Sequence, residues 1–400
     1  MNSKNNDPIS ILFAVLICCN SLPVVFGETS GIVGWTVIGL SLLLIFLGLL
    51  KNNKPTALTV GGVIISLCMA HFISYAVHPS DIGRKYMNMF LIYGALFMLL
   101  PIGAVNFKLS LKTIYYFGIL VLPLYLSYNY GYGATEIDEG YEDGILMTMS
   151  YRVLPYICAS FFVFLDKDNK FWQRLLGIAV FVAYCFLLII MGARGAITSV
   201  MVFVSLCYVV DAGSSKKKVK RSVIFILGIA LVLVFFNSLI TSLFNYFESH
   251  GLNSRSITRI YFVQVMGGDI SAGRNEIYSM AINEFFRSPI WGNGIGSFDS
   301  YKGTFPHNIF LQLMVEGGLL FLIPFLIVFF RGMKFIFTSD FKSPFNKMLI
   351  LILCSGMVRL FFSSFLWGSH FCWLFVLLVL CSKSLIEREK NACISNNSHL

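Results

Sequence analysis

The sequence predicts an all-α integral membrane protein of about twelve transmembrane helices with one large, partly helical outer loop. Three observations predict it. The 400-residue chain is 57% hydrophobic and 12% charged, where soluble proteins carry about 25% charged residues. Its mean hydropathy is +0.77. About a dozen continuous apolar runs approach the ~20 residues that a helix needs to cross the hydrocarbon core, and a polar stretch near 245–307 interrupts them. Such a chain cannot cover a water-facing surface, so lipid is its main solvent. The runs are continuous and not alternating, which selects helices over barrel strands.

The helices are expected near 9–27, 31–50, 56–77, 86–105, 110–128, 145–165, 173–191, 194–210, 222–244, 308–330, 346–364 and 367–382. They form a single polytopic domain over 1–400, with no internal repeat and no low-complexity linker. The first run reads as an anchor helix and not a signal peptide. Cys18, Cys19 and Asn20 interrupt it, and another apolar run follows at once. Of ten cysteines, only Cys393 lies in a polar tail. No CxxC or Cys/His pair has metal spacing, so the cysteines read as small buried hydrophobes, and neither metal nor cofactor is expected.

Charge sets the orientation. With the N-terminus inside, the inner segments hold 20 of the 30 basic residues, and the run Lys216–Arg221 is the strongest marker. The positive-inside rule then puts both termini in the cytoplasm. That run is too short, and too close to a membrane, to indicate nucleic acid. The inner set is 16 Lys and 4 Arg, whereas the other ten are 8 Arg and 2 Lys. Lysine suffices for topology. Arginine adds a planar fork that grips phosphate or carboxylate in bidentate fashion. An anionic ligand on the outer side is one reading; arginines pairing with outer acids or lipid headgroups is the other. Arg152, Arg194 and Arg359 lie in or beside apolar spans, where a charge costs about 2.5–3.5 kcal/mol at mid-bilayer. Opening to one side, they would form a basic vestibule.

Two outer loops remain. The first, 129–144, carries Glu136, Asp138, Glu139, Glu142 and Asp143. It lacks EF-hand spacing, so it reads as a solvated loop that balances nearby arginines, with a catalytic carboxylate as the alternative. The second, 245–307, is too long for a mere connector. Within it, residues 274–287 place Ile277, Met280, Ala281 and Phe285 at helical spacing, with Ser271 as the candidate N-cap. The apolar stripe would lie on the membrane surface or on neighbouring helices. Ser288-Pro289 ends this helix, and Gly292-Asn-Gly-Ile-Gly296 reads as a flexible turn. It is no phosphate loop, because no strand precedes it and no Lys-Ser/Thr follows. Phe305-Pro306-His307-Asn308 then opens the tenth helix. A histidine at an outer helix entrance can exchange a proton near neutral pH, while Asn308 or His307 could simply cap. Glu316, nine residues on, faces away from His307; Gln312 and Glu316 share a face.

The order Ala193-Arg194-Gly195, Gly273-Arg274, Pro289, Gly292-Asn-Gly-Ile-Gly296, His307-Asn308-x-x-Leu311 and Gly317-Gly318 resembles the bacterial O-antigen ligase and O-antigen polymerase family, best over 180–330. The resemblance implies a C-type, multi-helix membrane glycosyltransferase of the bacterial inner membrane with its active site facing the periplasm. It implies a glycan donor built on undecaprenyl diphosphate, neighbours such as a flippase and a chain-length regulator, and no metal. It carries Arg194, Arg274 and His307 over as motif residues. Arg255 and Arg259 lie where the family often has further loop arginines. His307 and Arg274 become the catalytic candidates, with Arg194, Arg255, Arg259, Arg152 and Arg359 as diphosphate ligands. Phe-Pro-His-Asn-Ile-Phe-Leu looks more like polymerases than ligases. A lipid-glycan flippase is the alternative of another class.

Overall fold

The computed structural model describes residues 7–19, 30–50, 57–132, 148–191, 193–212, 214–234, 236–250, 255–266, 273–362 and 365–397. The acidic cluster 136–143 and Ser271 lie outside these residues. Among the described residues the secondary structure is helical throughout, with no strand. Among the described residues, seven helices are long and apolar enough to cross a membrane: Thr59–Val77, Asp81–Ala104, Phe107–Ser127, Thr148–Leu165, Phe171–Met191, Ile309–Thr338 and His370–Glu387. Pro8–Cys18, Trp35–Leu50 and Arg194–Val210 are shorter apolar helices.

The chain forms two compact units. One comprises Ile17–Val33 and Leu111–Ala272. In it, helices Leu154–Leu165 and Phe171–Met191 pack as an antiparallel pair across the turn at 166–170. Gly177 lets them approach, because a Cβ there would sit 3.0 Å from the Ser160 carbonyl. The orphan carbonyls at the end of the first helix are satisfied by side chains: Asn169 Nδ2 donates to Val163 O and Arg174 Nε to Phe164 O, both at 3.0 Å. Tyr184 Oη donates to Gly118 O at 2.6 Å and its ring meets those of Tyr125 and Tyr156.

The other unit comprises Met1–Leu16, Gly34–Ser110 and Gly273–Leu400. Ser10 joins its first helix to the segment before Phe107, accepting from Asn106 N at 2.8 Å. Helix Pro344–Ile352 runs through a π-turn, Leu353–Met357, into Val358–Leu360. Gly356 is required there, since a Cβ would collide with Phe371.

The helix expected over 308–330 is not one rod. Ile309–Thr338 is interrupted at Gly318, whose φ of 61° and ψ of −152° are not helical. In a straight helix Phe310 would stand about 22 Å from Phe325 and about 28 Å from Phe329. Their ring centroids instead lie 6.3 and 6.5 Å apart. The chain therefore folds back at Gly318. A short arm, Ile309–Gly317, lies alongside a membrane-length helix, Leu319–Thr338.

Such a fold leaves orphan carbonyls at the end of one helix and orphan N–H groups at the start of the next. The segment Pro289–Gly294 supplies both sets of partners. Asn293 N and Gly294 N donate to Val315 O and Glu316 O, at 2.7 and 3.1 Å. Leu319 N and Leu320 N donate to Pro289 O and Ile290 O, at 2.9 and 3.3 Å. The close approach explains the glycines on both sides. A Cβ on Gly292 would sit 2.5 Å from Glu316 O, and one on Gly318 would sit 2.5 Å from Ile290 O. Both have positive φ. The expected flexible turn is thus a fixed insert. Ile295 N also donates to Ser74 Oγ at 2.7 Å.

Candidate functional site

Helix Arg274–Arg287 forms as its apolar spacing predicts, but its N-cap is Gly273 in the left-handed region and not the expected Ser271. Its apolar stripe packs inward. Ala281 is buried with Phe298 and Val315, and Ile277, Met280 and Leu311 pack against them. Near its other end, Glu284 O accepts from Asn293 Nδ2 at 2.8 Å, and Asn293 bonds to Val315. These contacts set the helix and the arm Ile309–Gly317 side by side and parallel. Their C-terminal ends meet the glycine insert. Their N-terminal ends bring Arg274 and His307 together.

His307 is the one non-glycine residue of positive φ, 55°, among the described residues. Histidine tolerates this region better than most side chains, but at a cost, and such conformations collect at functional sites. Its ring lies 4.1 Å from that of Phe305, and Nε2 is 3.5 Å from Thr304 Oγ1, at the limit of a hydrogen bond. Nδ1 is buried without a hydrogen-bond partner. Burial holds the imidazole below the ordinary histidine pKa, and the Arg274 guanidinium lowers it further. His307 is therefore neutral at neutral pH, as a proton acceptor must be.

The fold-back of the arm sets the surroundings of His307. Because the arm folds back, Phe310 lies beside Phe325 and Phe329, in the middle of Leu319–Thr338. Asn308 caps the arm, accepting from Phe310 N and Leu311 N at 3.0 and 3.3 Å. Its Nδ2 donates to Phe361 O at 3.4 Å, two residues beyond Arg359. The half-buried Arg359 is thus drawn to the same end of the arm. Two helix N-termini and Arg274 lie about this imidazole. Backbone dipoles and guanidinium groups both favour an anion there.

Arg152, Arg194, Arg255 and Arg259 belong to the other unit. A Cβ on Gly195 would collide with the Tyr151 hydroxyl, so the segments carrying Arg152 and Arg194 meet within that unit. Arg194 begins helix Arg194–Val210, as expected. Arg255 and Arg259 stand on helix Arg255–Met266; their side chains lie outside the described part. Gln312 and Glu316 do share a face, with Gln312 Nε2 donating to Glu316 Oε1 at 3.2 Å. The other Glu316 oxygen accepts from Trp367 Nε1 at 2.6 Å. Hydropathy and spacing missed this tie to Trp367, Thr304 beside the imidazole, and the fold-back itself. The paired glycines at 317–318 were the available signal for the last. A cavity of about 320 Å³, lined by His78, Ser80, Asn293 and Ser297 among others, opens by the glycine insert. His307 and Arg274 do not line it.

Fold and site together define a helical membrane protein that sets an imidazole, His307, beside the Arg274 guanidinium. Residues 179–326 match the family model described as O-antigen ligase, and this domain supports the O-antigen ligase and polymerase family of glycosyltransferase-like enzymes. The matched segment includes Arg194, Arg255, Arg259, Arg274, His307 and the Gly318 fold-back. No curated protein matches the chain.

Proposed function

We propose that this protein is an O-antigen polymerase, with the twelve spans and C-type architecture that its sequence suggests. It moves a glycan from undecaprenyl diphosphate to a hydroxyl of another lipid-linked repeat, on the periplasmic side of the bacterial inner membrane. The observation that carries the reading is the meeting of His307 and Arg274 at the N-terminal ends of two parallel helices. His307 takes the proton of the attacking sugar hydroxyl. The hydroxyl oxygen bonds to the anomeric carbon as the bond to the diphosphate breaks, in one displacement that inverts the centre. Negative charge grows on the departing diphosphate. Arg274 and Arg359 stabilise it in the roles that other transferases give to a metal. Arg152, Arg194, Arg255 and Arg259 are the further diphosphate ligands in this proposal.

The description of the matched family favours a second reading, transfer of the same glycan to lipid A–core. Gel analysis of surface lipopolysaccharide from a deletion strain separates the two. Single repeats on core mean a polymerase. Bare core with long glycan retained on its carrier means a ligase. Normal glycans would sink both and leave transport to be tested.

A further inference from the structure

Three polar side chains, Asn308, Gln312 and Glu316, recur at four-residue spacing along one face of the arm that begins after His307. All three bond to residues that follow Arg359 in the chain. Asn308 Nδ2 donates to Phe361 O at 3.4 Å. Gln312 Oε1 accepts from Leu366 N at 2.9 Å. Glu316 Oε2 accepts from Trp367 Nε1 at 2.6 Å. The rings of Phe310 and Phe361, 5.2 Å apart, add an apolar contact to the same seam. The gripped segment follows directly on Arg359. It also carries Phe365, whose ring lies 5.4 Å from that of Phe305, which in turn lies against His307.

Gln312 and Glu316 are buried, at 1% and 3% exposure. A buried polar pair is costly unless its hydrogen bonds are complete. Here the polarity is fully determined. Leu366 N must donate, so Gln312 presents its oxygen to Leu366 and its Nε2 to Glu316. Trp367 Nε1 can only donate. Glu316 therefore faces the donors of Gln312 and Trp367, and the Gly296 backbone N–H also reaches it. A carboxyl, with two oxygens that can accept, is the side chain that suits this position. It ties the glycine insert, the arm and the segment after Arg359 at one point.

We infer that Gln312 and Glu316 are positioning residues, which hold the Arg359 segment in register with the His307 arm. Neither touches the imidazole, so their effect acts through placement. The inference rests on the proposed transfer reaction. Misplacing a reacting group by about 1 Å can cost on the order of a hundredfold in rate.

The test uses full-length protein in nanodiscs and lipid-linked glycan extracted from cells lacking the protein, with kcat and KM measured over glycan concentration. Glu316→Gln presents an amide donor to the donors of Gln312 and Trp367. Gln312→Glu sets two carboxyls together. Each should lower kcat about tenfold or more, with KM little changed. The double variant Gln312→Glu/Glu316→Gln restores the bonds with reversed polarity. The carboxylate introduced at position 312 accepts from Leu366 N and from the amide introduced at position 316, and the oxygen of that amide accepts from Trp367 Nε1. It should recover most of kcat. Trp367→Phe, which keeps a ring and removes one donor, should give a smaller loss at normal abundance. If the single variants match wild type, or the double variant is no better than the worse single, positioning is wrong. His307→Ala is the control for the underlying reading. Should it keep wild-type activity, or should the wild-type protein form no product, that reading falls and this one with it.

Discussion

His307 owes its chemistry to what surrounds it more than to its type. Burial first, and Arg274 second, hold its proton affinity below the ordinary value of 6.5. The base form is thus present above that lowered pKa, and kcat/KM should fall only as pH drops through it. Removing Arg274 takes away the smaller cause and leaves burial. The acidic limb of residual activity in Arg274→Ala should therefore move up in pH, but not all the way to 6.5. An unmoved limb would mean that Arg274 does not act on the imidazole. The linkage sign follows: an unfolded chain binds this proton more readily, so His307 removes stability as pH falls below its unfolded value. His307→Ala should lose about 10²- to 10⁴-fold in transfer rate while membrane insertion, followed by immunoblot of the membrane fraction, stays normal. Histidine and arginine were legible as candidates in the sequence because their positions stood out in order. The positive φ of His307 and its contacts with Thr304 and Phe305 were not, since they arise from how the loop closes onto the arm.

Single elements were read with uneven success, for physical reasons. Helix Arg194–Val210 matches the expected span at both ends, because charge and glycine mark its start and polarity its end. The span over 308–330 is apolar and of membrane length as expected, but not one rod, because hydropathy measures how apolar a run is and carries no direction. Apolar residues on either side of Gly318 look like one rod, yet the chain reverses there. Gly292-Asn-Gly-Ile-Gly296 read as flexible because glycine frees the backbone, but here glycine admits a second backbone. The two uses predict different costs. Gly318→Ala and Gly292→Ala combine a left-handed backbone, about 1–3 kcal/mol, with a Cβ placed 2.5 Å from a carbonyl oxygen. They should sharply lower thermal stability in detergent and abolish transfer. Gly303→Ala has positive φ and open space around it, so it should cost only about 1–2 kcal/mol. Equal losses in all three would mean that the fold-back does not need the glycine insert.

At the scale of the whole molecule, composition spoke for lipid as solvent, and the helical structure agrees. The number of crossings is less legible, since helices such as Trp35–Leu50 sit near the length limit and membrane width alone does not decide them. Orientation rests on charge, and it can be tested independently of activity. Lys216, Lys217, Lys218, Lys220 and Arg221 lie on helix Ser215–Val234, and Arg221 is held by Tyr208 O at 2.6 Å. A cluster of this sign is retained on the cytoplasmic side. The segment with Arg274, His307 and the glycine insert must then face the opposite side if it is to meet a glycan outside the cytoplasm. Green fluorescent protein fused after Lys218 should fluoresce, and alkaline phosphatase fused after Arg287 should be active. The reverse pair of signals would put the imidazole on the cytoplasmic side and remove its access to the proposed periplasmic donor. Fluorescence at both positions would break the topology without touching the geometry of the site. Only the expected pair lets His307 and Arg274 act in the proposed transfer, on a lipid-linked glycan outside the cytoplasm.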